Sequence, residues 1–82
     1  MKILITGAAG FIGMHLAHNF LQNKNNIVIG VDNINNYYDV KIKLERIRIL
    51  KKYNNFFFIK SDLNNVKKID NLFKKYNPTI VI

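Results

Sequence analysis

Apolar and polar positions alternate along the 82 residues in two different rhythms, one strand-like and one helix-like. Ile3, Leu4 and Ile5 form a short continuous apolar run, which suits a strand buried on both faces of a parallel sheet. From residue 11 to about 24 the period lengthens, with Ile12, Leu16, Ala17, Phe20 and Leu21 in a stripe at helical spacing. Residues 23–26 make a polar turn, and Ile27-Val28-Ile29-Gly30-Val31 reads as a second strand. An Asn- and Tyr-rich loop covers residues 33–38. Asp39 suits the N-cap of a second helix running to about residue 53, with Val40, Leu44, Ile47 and Leu50 inward. Its Lys41, Lys43, Arg46, Arg48, Lys51 and Lys52 read as a solvated face.

Asn54 and Asn55 break that helix, and residues 56–59 carry the aromatic and β-branched bias of a third strand. A third helix is expected from about 64 to 76, burying Val66, Ile69, Leu72, Phe73 and Tyr76, and Asn77-Pro78 stops it. Thr79-Ile80-Val81-Ile82 opens a fourth strand. Such alternation predicts an α/β fold: a doubly wound parallel sheet with right-handed crossovers. The first strand should be central, with the second on one side and the fourth on the other.

The chemistry concentrates where the first strand meets the first helix. Gly7, Gly10 and Gly13 follow the apolar run at once, in TGAAGFIG. A strand, a glycine-rich turn and a helix together bind a pyrophosphate: the first glycine turns the chain, the second admits the phosphates, and the third packs helix on strand. The helix start then offers unpaired N–H groups, so Phe11 and Ile12 should border the pyrophosphate through their backbones. The spacing is G-x-x-G-x-x-G rather than the commoner G-x-G-x-x-G, so the context matters. Asp32 supplies it. This carboxylate lies 19 positions beyond Gly13, at the end of the second strand, where an acid hydrogen-bonds an adenosine ribose. Together these features predict a Rossmann-type domain that takes a dinucleotide.

Asp32 also selects between dinucleotides. It can accept both ribose hydroxyls of NAD but repels the 2′-phosphate of NADP. Two unit charges ~4 Å apart at an effective dielectric near 20 cost about 4 kcal/mol before water and salt weaken the repulsion. No Arg or Lys occurs from 33 to 40 to offset it, so NAD is expected.

TGAAGFIG, residues 6–13, resembles the cofactor loop of the extended short-chain dehydrogenase/reductase superfamily. VDNINNYYDVKIKLERI, residues 31–47, is similar to the nucleotide-sugar epimerase and dehydratase branch, closest to the UDP-glucuronate 4-epimerases. The resemblance implies that Asn33 helps hold the adenosine side, that Asp62 accepts from the adenine amino group, and that Leu63 covers the ring. Tyr37 and Tyr38 could line the same pocket edge or anchor the loop. Met14 stands where the family commonly has Ser, and Ser61 where Gly is frequent.

The resemblance also sets the scale. Its members are about four times longer, so residues 1–82 correspond to the N-terminal part of an NAD-binding domain cut in its fourth strand, without a substrate domain. The reaction implied for the full-length enzyme is C4 epimerisation of UDP-glucuronate or a related UDP-sugar through a 4-keto intermediate. The alternative in the same superfamily is a sugar-nucleotide 4,6-dehydratase or reductase. That chemistry uses a Tyr-x-x-x-Lys pair, and here the pattern occurs only at Tyr37–Lys41, before the third strand and in the wrong part of the fold. No catalytic residue is therefore assigned.

Composition adds limits. There is no cysteine, which excludes disulfides and thiolate metal sites. His15 and His18 lie three apart on the first helix with no third ligand in view, so no metal is expected. No apolar run approaches the ~20 residues of a membrane span, and no signal-peptide pattern opens the chain, so a cytoplasmic protein is expected. The net charge of +8 raises nucleic acid as a partner. Eleven of the thirteen basic residues are Lys, however, and Asn and Ile also occur thirteen times each, as an AT-rich coding sequence would produce. No reading motif accompanies the charge, so the expected partner is a nucleotide sugar, with neither nucleic acid nor membrane. A homodimer remains open for the full-length protein. The rival from another class is a non-catalytic nucleotide-binding or basic interaction module. The chain alone is expected to be marginally folded, with an apolar fourth-strand edge liable to self-association.

Overall fold

The computed structural model describes residues 1–34 and 40–82. In chain order the elements are β1 (Lys2–Thr6), α1 (Phe11–Leu21), β2 (Ile27–Asp32), α2 (Val40–Leu50), β3 (Phe56–Lys60), α3 (Val66–Tyr76) and β4 (Ile80–Val81). All strand pairings are parallel, in the order β3-β2-β1-β4. β1 is therefore central, with β2 and β4 beside it, as the alternation of the sequence predicts. Ladder bonds continue past the short β4: Thr79 N–H donates to the Lys2 carbonyl at 2.8 Å, and Ile82 N–H to the Leu4 carbonyl at 2.9 Å.

Three helix ends fall inside the expected bounds, and beside two of them asparagine or aspartate side chains take backbone N–H groups. α1 stops at Leu21 rather than near 24, and beyond it Asn25 N–H turns to the Asn23 side chain at 3.0 Å. α3 starts at Val66 rather than 64. Asp62 Oδ1 holds the Asn64 N–H at 2.9 Å, while Asn65 caps the helix by accepting from Lys68 N–H at 3.2 Å. At the other end, Asn77 takes a left-handed conformation (φ 48°) and its N–H caps the Phe73 carbonyl. α2 ends at Leu50 rather than near 53. The expected N-cap at Asp39 and the roles of Tyr37 and Tyr38 lie outside the described residues.

Strand alternation sends successive side chains to opposite faces of the sheet. On one face Ile3, Ile5, Val28 and Phe56 pack with Ala17 and Leu21 of α1 and with Ile47 and Leu50 of α2. On the other, Leu4, Ile29 and Val31 meet Leu72 of α3, with Ile69 and Tyr76 partly buried beside them.

Four positions expected inside are exposed: Ile12, Leu44, Val66 and Phe73. Ile12 and Val66 each occupy a first helical turn. In α2 the inward line runs Val40, Lys43, Ile47 and Leu50, at steps of three and four, which leaves Leu44 about 100° away and 53% exposed. Phe73 similarly lies one position round the helix from Leu72. The lysines of α2 and α3 stand over opposite faces of the sheet. Among the described residues no helix is long and apolar enough to cross a membrane.

Candidate dinucleotide-binding site

β1 delivers the chain to Gly7, whose φ of +66° belongs to the left-handed region that glycine adopts without a steric penalty. The turn closes when Gly10 N–H donates to the Gly7 carbonyl at 2.9 Å, and α1 begins directly behind it. Gly13 comes closest of all. A Cβ there would sit 2.2 Å from the Gly7 carbonyl oxygen and 2.9 Å from its carbon, so helix and loop meet backbone to backbone.

Gly10 is the N-cap of α1 and has no side chain to cap it. The first helical bond runs from Met14 N–H to the Gly10 carbonyl at 2.9 Å. The N–H groups of Phe11, Ile12 and Gly13 therefore precede the helical ladder and form the positive end of its dipole. A 440 Å³ cavity opens there, bordered by Gly7, Gly10, Phe11, Ile12, Gly13 and, from β4's end, Ile82. The Phe11 and Ile12 side chains are exposed.

Asp32 joins this loop to the end of β2. Its Oδ2 accepts from Ala9 N–H at 3.0 Å and its Oδ1 from Ile34 N–H at 2.8 Å. The carboxylate is thus held between the glycine turn and the chain leaving the strand. Ile34 has a positive φ of 51°, an uncommon conformation for a β-branched residue, and this bond helps hold it there. A second cavity, of 360 Å³, is lined by Gly7, Asp32, Asn33, Lys43, Asp62 and Leu63 together with neighbouring residues. Gly7 borders both cavities, so the loop sits between them. Every residue singled out from the sequence as cofactor-binding reaches one or the other.

Two residues expected to be solvated belong to the site instead. Lys43 Nζ lies 3.7 Å from Asp32 Oδ1, with 13% of its side chain exposed and 4% of the aspartate's. One turn further along α2, an Arg46 guanidinium N–H donates to the Ala9 carbonyl at 3.1 Å, and the group stands 6.0 Å from the centre of the Phe11 ring. A signal for Lys43 exists in the sequence: it falls in phase with Val40, Ile47 and Leu50, where a charged residue needs a buried partner. Residues 33–40 hold no Arg or Lys to offset Asp32. Lys43 supplies one from just beyond.

The histidines have local partners. His15 packs edge-on against Phe11 at 4.5 Å, and His18 Nε2 lies 3.0 Å from the Tyr53 hydroxyl. Among the described residues no three His, Asp or Glu side chains gather as a metal site.

A parallel sheet carrying an uncapped, glycine-opened helix beside a strand-end carboxylate defines the Rossmann class of nucleotide-binding domain. Comparison with known proteins narrows it. The family model for GDP-mannose 4,6 dehydratase matches residues 4–82, so the chain belongs to that family, within the extended short-chain dehydrogenase/reductase superfamily. A UDP-glucuronate 4-epimerase from Thermodesulfobacterium geofontis is 42% identical over 79 residues, covering 96% of this chain and 24% of its own. The crystal structure of UDP-glucuronic acid 4-epimerase from Bacillus cereus, in complex with UDP-glucuronic acid and NAD, superposes with a TM-score of 0.89 at 35% identity, covering 100% of this chain and 25% of that one. A dTDP-glucose 4,6-dehydratase from Bacillus anthracis, in complex with NAD, gives 0.85 at 26% identity over 99% of this chain and 25% of its own. This chain thus spans about a quarter of the length of these relatives.

Proposed function

We propose that the chain is the NAD-binding segment of a nucleotide-sugar epimerase whose complete form acts at C4 of UDP-glucuronate. The observation that carries the reading is the placement of Asp32, Asp62 and Leu63 on one cavity that meets the glycine loop at Gly7. The residues fit the cofactor. The first turn of α1 offers uncapped N–H groups of the kind a pyrophosphate needs, and Gly10 and Gly13 let the helix start approach the Gly7 backbone closely.

In this reading Phe11, Ile12 and Gly13 bind the pyrophosphate through their main chains. Asp32 accepts from the adenosine ribose hydroxyls, its orientation already set by Ala9 and Ile34. Asn33 flanks the same ribose. Asp62 accepts from the adenine amino group, and Leu63, which is exposed on the cavity wall, covers the ring. Bound NAD supplies a hydride acceptor at its nicotinamide ring. The sugar substrate is inferred from the UDP-glucuronate 4-epimerases, whose identities to this chain exceed that of the dehydratase.

Calorimetric titration with NAD tests the binding role. Saturable one-to-one binding is expected, and Asp32→Asn should weaken it about tenfold by replacing a charged acceptor with a neutral one. No binding by the unsubstituted chain would sink the reading. For the complete protein, NMR of UDP-glucuronate incubated with enzyme should show inversion at C4, whereas loss of water from the sugar would indicate a dehydratase.

A further inference from the structure

We infer that Lys43 determines how strictly the site separates NAD from NADP, an inference that rests on the NAD-binding reading above. Asp32 alone would exclude a 2′-phosphate by charge. Here its carboxylate is fixed by two main-chain donors, at 3.0 and 2.8 Å, and cannot swing away from the ribose position. The Lys43 ammonium stands 3.7 Å from the same carboxylate and lines the same cavity. A phosphate on a ribose held beside Asp32 would enter a cavity lined by both a carboxylate and an ammonium. The two Coulomb terms have opposite signs, so the ammonium offsets part of the repulsion from Asp32. Both side chains are shielded from water, so salt screens the pair less than it would on the surface.

NAD keeps its advantage, because Asp32 accepts from the free hydroxyls and Asp62 adds a second negative group on the cavity wall. Lys43 narrows that advantage. Its ammonium is a compact point charge on a flexible stem, able to follow a phosphate without a fixed fork geometry.

The test is calorimetric titration of the 82-residue chain with NAD and, separately, NADP, comparing the unsubstituted protein with Lys43→Gln, Lys43→Met and Lys43→Arg, each checked for fold by circular dichroism. The unsubstituted chain should bind both, NAD more tightly. Lys43→Gln should widen the ratio of the two affinities about tenfold, chiefly by weakening NADP, and Lys43→Arg should restore the original ratio. Lys43→Met keeps the buried stem and carries the same expectation where the polar amide perturbs the fold. A folded Lys43→Gln or Lys43→Met chain that binds NAD with an unchanged ratio overturns the inference and leaves the NAD-binding reading intact. Equal weakening of both cofactors also overturns it, since Lys43 would then shape the site without selecting. Failure of the unsubstituted chain to bind NAD overturns both readings.

Discussion

The two faces of the sheet are built from the same four strands and end in different states. Under α1 and α2, Ile3, Ile5, Val28, Leu21 and Leu50 are fully or almost fully buried, and the glycine loop is continuous with that core through Ala8 and Ala9. Under α3, Leu4, Ile29 and Val31 are covered, yet Phe57 remains 42% and Val81 53% exposed. Strands of a parallel sheet are apolar on both sides because helices are meant to cover both. Two helices complete the first face, while one helix reaches only part of the second. In the candidate cofactor site the glycine loop is continuous with the completed face, whereas Asp62 and Leu63 lie on the connection from β3 to α3.

Substitutions on each face can break this contrast. The largest effect should come from Gly13→Ala, whose methyl would overlap the Gly7 carbonyl. A loss of about 3 kcal/mol in chemical denaturation is expected, together with loss of NAD binding in calorimetry. Next, Leu21→Ala on the completed face should cost about 3 kcal/mol, against about 2 kcal/mol for Leu72→Ala beneath α3. Equal losses would erase the distinction between the faces. A smaller change is expected from Phe57→Thr, which trades an exposed ring for a β-compatible polar residue and should shift stability by less than about 1 kcal/mol. Light scattering should nevertheless show less self-association, because the uncovered apolar face has shrunk.

The smallest effect is expected outside both faces. Arg48 hydrogen-bonds Glu45 on the outer side of α2 and holds its carboxyl below the usual carboxylate value. A lowered carboxyl stabilises the fold above its unfolded value and loses that contribution as pH falls through the folded one. Both groups are open to water, so Glu45→Gln should leave the acid limb of a melting-temperature profile unchanged.

Much of this architecture is legible in the sequence for a local reason. Strand and helix differ in period, and asparagines and one proline mark most boundaries, so element order follows from patterns a few residues long. The candidate cofactor residues stand out in the sequence because a glycine turn and a strand-end acid have fixed relations to their elements. The inward side of α2 is not legible in that way. Leu44 is the more apolar candidate, but Lys43 occupies the inner line because Asp32, 11 residues earlier, is there to receive it. Such a pair is decided between elements, where helical period alone carries no information about partners.

The bonds that Asp32 makes to Ala9 and Ile34 have a consequence in time. Their amides are locked to a buried carboxylate, so they should exchange with deuterium only when the loop opens away from β2. The first-turn amides of α1 have no such lock and should exchange fast until an anion arrives. A pulse of heavy water would therefore separate two clocks in one short loop, one wound by folding and the other stopped by the ligand.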